Sequence, residues 1–141
     1  MYRKILVALD HTSADDSLLP HITGLARLTG AELVLAHVAD GWAAQRQEHL
    51  DLADSEEIRA DRAYLDEVAA KLRAEGLTVH AQLAKGDPPR EIMRLAREQN
   101  CDLVAMTTHG HRFVADIFLG STIEKVRHEI DIPLLLVRAG K

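Results

Sequence analysis

The fold is decided by one stretch, Leu103-Val-Ala-Met-Thr-Thr-His-Gly110, which continues to Leu119-Gly-Ser-Thr122. The apolar start predicts a buried strand, and a helical pattern opens at Ser121. Nine residues separate Gly110 from Gly120. Glycines after a strand allow close approach to an anion, and a helix N-terminus offers N–H groups to it. We therefore expect a phosphate-binding loop between strand and helix, the alternative being a turn glycine and an ordinary helix cap.

The same alternation of strand and helix patterns runs through the whole sequence. Short apolar runs predict five strands, and apolar residues at helical spacing predict four helices between them. The predicted strands are Ile5–Leu9, Leu33–Val38, Thr78–Leu83, Leu103–Met106 and Leu134–Val137. The predicted helices are Asp15–Leu28, Glu56–Glu75, Pro88–Asn100 (capped by Asp87) and Ser121–His128. Gly30 and Gly76 follow two of these helices, as C-terminal glycines commonly do.

This alternation predicts a single α/β domain over residues 1–141, an open five-stranded parallel sheet with helices on both faces. The expected strand order is 3-2-1-4-5. The third strand alternates polar and apolar residues, which places it at an edge. The fifth strand is apolar on both faces although this order leaves it at the other edge. We expect a homodimer in which Leu134, Leu135, Leu136 and Val137 pair with their copies.

The composition of the chain limits which partners and which cellular compartment are expected. The protein has 141 residues, a net charge of −5 and charges of both signs spread along its length. This distribution argues against nucleic acid or an anionic membrane as the main partner. The one cysteine, Cys101, allows no intrachain disulfide and fits a reducing compartment, so we expect a cytoplasmic protein. Because Cys101 precedes an apolar run, a packing role is favoured over a reactive one.

Two features converge on one crevice. Parallel sheets of this kind bind ligands beyond the carboxyl ends of the strands, at the point where strand order reverses. In the order 3-2-1-4-5 that point lies between the first and fourth strands. Asp10 ends the first strand, and the glycine-containing loop follows the fourth. A turn or capping role for Asp10 is the alternative.

The sequence resembles the universal stress proteins of the UspA type, an adenine-nucleotide-binding α/β family. The resemblance covers nearly the whole length. It is carried by Ile5-Leu-Val-Ala-Leu-Asp10, Ala31-Glu-Leu-Val-Leu-Ala-His-Val38, Lys85-Gly-Asp-Pro88, Thr108-His-Gly110, Leu119-Gly-Ser-Thr122 and Ile132-Pro-Leu-Leu-Leu-Val137. The family pattern is Gly-x-x-Gly, nine residues, then Gly-Ser or Gly-Thr. Gly110, Gly120 and Ser121 match it, whereas Thr107 stands where the first glycine is expected.

The resemblance implies a nucleotide site. It places Asp10 near the ribose and base, and the backbone of Val38 against the adenine edge. It assigns the phosphates to Gly110, Gly120, Ser121 and Thr122. The full expected set is Leu9, Asp10, Val38, Met106, Thr107, Gly110, His111, Arg112, Gly120, Ser121 and Thr122. The expected ligand is ATP or AMP, with Mg²⁺ as a candidate companion ion.

For several residues near this site, more than one role is consistent with the sequence. His11, His37, His109 and His111 are expected at the same end of the sheet. His109 and His111 are candidates for a transition metal or a phosphate contact, but exposed loop histidines are favoured because no fixed ligand spacing accompanies them. Arg112 is a candidate phosphate ligand or an exposed charge. Residues 40–54 predict a loop or short helix at the crevice mouth, with Trp42 over the ligand or against a partner.

The residues favour binding over catalysis. The sequence contains no Walker lysine motif and no Gly-x-Ser-x-Gly elbow. The first hypothesis is a nucleotide-dependent stress-response regulator or sensor. The enzymatic alternative is a slow nucleotide hydrolase in which Asp10, or the Asp15–Asp16 pair, binds magnesium. The third is a nucleotide-free dimeric interaction module, which follows if Thr107 abolishes binding.

Overall fold

The computed structural model describes residues 1–40, 51–108 and 122–140, and side chains are not described at 40 and 51–55. The strands are β1 Lys4–Ala8, β2 Glu32–Asp40, β3 Val79–Gly86, β4 Leu103–Thr108 and β5 Leu134–Arg138. The helices are α1 Asp15–Thr29, α2 Asp51–Ala74, α3 Pro88–Glu98 and α4, residues 122–129.

The five strands form one parallel sheet in the order β3-β2-β1-β4-β5, which confirms the predicted topology. The central strand β1 pairs with β2 through Lys4↔Glu32 to Ala8↔Ala36, and with β4 through Ile5↔Leu103 to Val7↔Ala105. As predicted, β3 and β5 lie at the two edges. The carboxyl ends of β1, β2 and β4 therefore lie together at one end of the sheet.

The alternation of side chains along the strands divides the core into two layers. Ile5, Val7 and Leu35 of the central strands pack with α1 and α2 on one face. Leu6, Val34 and the other alternate residues pack with α3 and α4 on the opposite face. The central strands are almost fully buried, as expected for a parallel sheet covered by helices on both sides.

The residues predicted to end three of the helices have left-handed backbone conformations. Gly30 has a positive φ of 75°, and its N–H donates to the carbonyl of Ala26 at 2.8 Å. Gly76 likewise has φ 94° after α2. Asn100, which we expected to end α3, has φ 57° in the same left-handed region.

Several boundaries differ from the predictions, most of them by one or two residues. β2 extends to Asp40 and β3 to Gly86, because backbone pairing between them continues beyond the apolar residues. α2 begins at Asp51 rather than Glu56, since the polar residues of its first turns give little helical periodicity. Asp87 occupies the N-cap position of α3, but its carboxylate makes no capping hydrogen bond. Pro89, at the second helical position, lacks one of the two N–H groups from which such a cap can accept.

Cys101 is buried, as the packing interpretation predicted. Burial is the main reason that the pKa of its thiol rises to about 11, which disfavours the reactive thiolate. Among the described residues, no helix is both long enough and apolar enough to cross a membrane.

Candidate functional site

A cavity of about 400 Å³ opens at the carboxyl end of the sheet, on the face covered by α3 and α4. Its floor comes from the ends of β1 and β2, and Met106 of β4 forms part of one side. The start of α3 and the first turn of α4 complete the wall. The lining residues are Ala8, Leu9, Asp10, Ala36, His37, Val38, Asp87, Pro88, Pro89, Ile92, Met106, Thr122 and Lys125. Its volume is in the range of small-molecule sites.

The backbone of Val38 faces the end of β1. The Leu9 N–H donates to the carbonyl of Ala36 at 2.7 Å, so the backbone of Ala36 faces β1. Because backbone direction repeats every second residue along a strand, Val38 presents the same edge. β1 has already ended at Ala8, so this edge lies on the side where the cavity opens. The N–H and C=O of Val38 are thus oriented to form hydrogen bonds with the edge of a planar ligand.

The cavity walls have opposite electrostatic character. On α4, Thr122 supplies a hydroxyl and Lys125 a cation at i, i+3 spacing. On α3, Asp87 supplies a carboxylate, followed by Pro88 and Pro89, which have no N–H to offer an anion. An anionic group is therefore favoured toward α4, and a neutral or hydrogen-bond-donating group toward α3.

Two residues of the described part of the chain help to hold Asp10 at the cavity. Its own N–H donates to Oδ1 of Asp15 at 2.9 Å. The hydroxyl of Thr107 donates to Oδ2 of Asp10 at 3.3 Å. Thr107 is only 2% exposed and is not part of the described cavity lining, so it reaches the site through Asp10.

A buried carboxylate lies beneath the turn between β1 and α1. Asp15 is fully buried and accepts hydrogen bonds from the N–H groups of Asp10 and His11, both at 2.9 Å, and from the Tyr64 hydroxyl at 2.6 Å. Burial raises the pKa of Asp15 and outweighs these hydrogen bonds, which lower it. Burial and the bond to Asp15 raise the pKa of Tyr64 as well. The turn carrying Asp10 is thus tied to α2.

Two histidines share one carboxylate on the α1 and α2 side of the sheet. His11 Nδ1 donates to Oδ1 of Asp61 at 2.6 Å, and its ring stacks on Tyr64 with centroids 4.1 Å apart. His37 Nδ1 donates to the carbonyl of Leu9 at 2.8 Å, which fixes a proton on that nitrogen. Its Nε2 lies 3.4 Å from Oδ2 of Asp61. Within residues 1–40, 51–108 and 122–140, no three His, Cys, Asp or Glu side chains are placed to hold a metal ion.

Comparison with known proteins assigns the sequence to a family. The model of the universal stress protein family matches residues 1–138. The chain belongs to the universal stress protein family. A universal stress protein of Thermus aquaticus, encoded in the QAH/OAS sulfhydrylase 3′ region, is 31% identical over 144 residues, covering 98% of this chain and all of the relative. Universal stress protein MJ0577 of Methanocaldococcus jannaschii is 24% identical over 155 residues, covering 98% and 96%.

Solved universal stress protein structures share the fold. The structure of MJ0577 has a TM-score of 0.84 and 25% identity, covering 100% of this chain and 99% of that one. A universal stress protein in complex with cAMP has a TM-score of 0.72 and 20% identity, covering 99% and 98%. One from Archaeoglobus fulgidus in complex with dAMP has a TM-score of 0.67 and 21% identity, covering 96% and 98%.

The residues expected in the nucleotide site fall into three groups. Leu9, Asp10, Val38, Met106 and Thr122 line the cavity together. Thr107 lies behind Asp10. The other five lie outside the described residues: Gly110, His111, Arg112, Gly120 and Ser121. Of the four expected histidines, His11 and His37 meet with ring centroids 6.1 Å apart, while His109 and His111 also lie outside, as does Trp42.

Sequence reasoning missed seven lining residues: Ala8, Ala36, Asp87, Pro88, Pro89, Ile92 and Lys125. An eighth, His37, is expected at this end of the sheet but not as part of the nucleotide site. Two signals were present. Lys125 follows Thr122 by one helical turn, which places both on one side of α4. Asp87-Pro88 is interpreted above as a helix start and as part of the family resemblance but not as part of the site, although the strand before it also ends at the carboxyl edge of the sheet.

Proposed function

We propose that the cavity binds an adenine nucleotide, ATP or AMP, and that the protein is a nucleotide-dependent stress-response regulator or sensor. The observation that carries this proposal is the meeting of Asp10, Val38 and Thr122 at one cavity of about 400 Å³. Each residue was expected there from family resemblance, and each comes from a different element. The volume and the mixture of apolar floor with a few polar groups suit a small-molecule ligand.

The wall chemistry supports one orientation of the nucleotide. Adenine is flat, and a donor and an acceptor on its edge match the backbone C=O and N–H of Val38. The ribose hydroxyls are donors and suit the carboxylate of Asp10. The phosphates suit Thr122 and Lys125 at the start of α4, next to Gly120 and Ser121 in the sequence. A Mg²⁺ ion accompanying a triphosphate would further reduce repulsion from the protein's carboxylates.

Two proteins of this fold were solved with cAMP and dAMP. At 20% and 21% identity these complexes establish only the shared fold. The choice of an adenine nucleotide therefore rests on family membership and on the groups that face the cavity of this protein.

The second part of the proposal is a homodimer through β5. The strand lies at the sheet edge, and Leu134, Leu135 and Val137 are only partly buried, while Leu136 is 40% exposed. Ala139 and Gly140, which follow β5, do not run along this edge: the Ala139 N–H donates to the carbonyl of Thr108 and the Gly140 N–H to the hydroxyl of Ser17 in α1, each at 2.7 Å. A second copy would pair with the edge and cover its leucines.

Binding remains favoured over catalysis. The two alternatives are a nucleotide-free dimeric interaction module and a slow nucleotide hydrolase. Neither has a specific observation in its favour, and no residue is assigned a catalytic role. We expect the regulator to act in the cytoplasm.

Isothermal titration with AMP, ADP and ATP tests the proposal. Gly120→Val should abolish binding, because a branched side chain would stand where a phosphate must approach. Ala8→Leu should weaken binding by filling the cavity floor. Gly24→Val is the matched control, since a Cβ at this glycine of α1 meets nothing within 4 Å. Folded Gly120→Val and Ala8→Leu proteins with unchanged affinity would refute the site.

A further inference from the structure

Thr107 does not line the described cavity, but its hydroxyl is hydrogen-bonded to Asp10, which does. It donates to Oδ2 of Asp10 from the neighbouring strand, and it is 2% exposed. Water therefore competes little for this hydrogen bond. The residue stands where the family pattern has glycine, so a glycine-containing protein has no such donor at this place.

The hydroxyl is presented by a rigid element. Thr107 lies within β4, in register with Val137 of β5, so its backbone belongs to a paired strand. Its β-branched side chain has few rotamers on a strand. The backbone of Asp10 is fixed separately by Asp15. Asp10 is consequently held at both its N–H and its carboxylate before any ligand arrives.

We infer that Thr107 is a positioning residue, which holds the Asp10 carboxylate in the orientation that accepts a hydrogen bond from a ribose hydroxyl. The inference rests on the proposed function and deepens it, because it assigns ribose recognition to the Thr107–Asp10 pair. A carboxylate accepts a hydrogen bond from a ribose hydroxyl, and a 2′,3′-dideoxyribose has neither hydroxyl donor. Without the Thr107 hydroxyl the carboxylate loses the hydrogen bond at Oδ2 that helps to order it before the ligand binds, which reduces affinity. The pair therefore makes the protein distinguish nucleotides that carry the ribose hydroxyls from nucleotides that lack both of them.

The test compares AMP with 2′,3′-dideoxy-AMP by isothermal titration. The wild-type protein should prefer AMP. Thr107→Val keeps the shape but removes the hydroxyl, so AMP affinity should fall roughly two- to tenfold while dideoxy-AMP affinity stays unchanged. Thr107→Ser should retain most of the preference. Thr23→Val is the matched control, because it removes another buried hydroxyl, one that donates to Pro20 within α1, and should leave the preference intact.

A double-mutant cycle shows whether Thr107 acts through Asp10. In an Asp10→Ala background, Thr107→Val should cause no further loss of AMP affinity. Thr107→Ala serves as a second hydroxyl-free variant if the valine protein does not fold. Equal weakening of both ligands, or an unchanged preference, would overturn the inference alone. Failure of the wild-type protein to bind AMP would overturn the proposed function and the inference together.

Discussion

The hydroxyl oxygen of Tyr64 lies 2.6 Å from Oδ2 of Asp15, and this contact joins the middle of α2 to the first residue of α1. The same carboxylate accepts the N–H groups of Asp10 and His11. One buried aspartate thus connects a helix, a turn and the residue at the cavity. The stability of this connection can be measured without any ligand.

Tyr64→Phe removes the hydroxyl and keeps the ring that stacks on His11. A hydrogen bond to a buried carboxylate is lost, so the free energy of unfolding should fall by about 1.5–3 kcal/mol at pH 7. Urea denaturation measures the change. Tyr2→Phe, the corresponding change at the only other tyrosine, should alter stability by less than about 0.5 kcal/mol. Equal effects of the two substitutions would contradict the contact.

Asp15 should make stability depend on pH. Its pKa is raised in the folded protein, so the folded state holds this proton more tightly than the unfolded state does. The contribution of Asp15 to stability is therefore largest below about pH 4, where an unfolded aspartate is protonated. It falls as the pH rises through the folded-state pKa, and is constant above it.

The measurement compares wild type with Asp15→Asn from acidic to neutral pH. Their difference in unfolding free energy should change across the lower part of this range, with the wild type losing stability relative to Asp15→Asn as pH rises. Asp16→Asn, the same change at the exposed neighbour, should show a much smaller pH-dependent difference. A difference that favours the wild type increasingly at higher pH would show that the pKa of Asp15 is lowered instead.

Lys125 and Asp87 should affect nucleotide affinity in opposite directions. Lys125→Gln removes a cation from the phosphate side and should weaken ATP binding roughly two- to fivefold at low salt, while Asp87→Asn should strengthen it. The effects should decrease as salt is added. Lys71→Gln, at an exposed lysine of α2, should leave affinity unchanged. Loss of affinity with Asp87→Asn would instead mean that this carboxylate binds the ligand.

Leu136→Lys should dissociate the proposed homodimer. A charge placed on the exposed leucine of β5 would be buried by a second copy, so the dimer dissociation constant should rise at least about tenfold. Analytical ultracentrifugation measures this constant. Leu28→Lys is the control, since Leu28 is 88% exposed on α1 and lies off the edge strand. A wild-type protein that stays monomeric at high concentration would contradict the interface.

The sheet could be predicted because its signals are local. Continuous apolar runs such as Ile5–Leu9 identify buried strands, and the alternation in Thr78–Leu83 identifies an edge. The glycines after two helices adopt the left-handed conformation expected of them, and Asn100 adopts it as well. The end of β3 could not be predicted, because Lys85 and Gly86 join the sheet through backbone pairing with β2, which leaves no pattern in the side chains.

The site could be predicted only in part, for a similar reason. Asp10 follows one predicted strand and Val38 ends another, and the strand order shows which strand ends lie together. The contacts of His11 with Asp61 and of Tyr64 with Asp15 join residues about fifty positions apart, and no periodicity in the sequence indicates them. The sequence likewise shows that Thr107 replaces a glycine, but not that its hydroxyl bonds to Asp10 from outside the cavity lining.

A crystal structure of the protein grown with saturating AMP tests the central proposal most directly. We predict density for the adenine against the backbone of Val38, for the ribose beside Asp10, and for the phosphate beside Thr122 and Lys125. AMP bound elsewhere on the protein, or an empty cavity under conditions where titration shows saturation, would contradict the account.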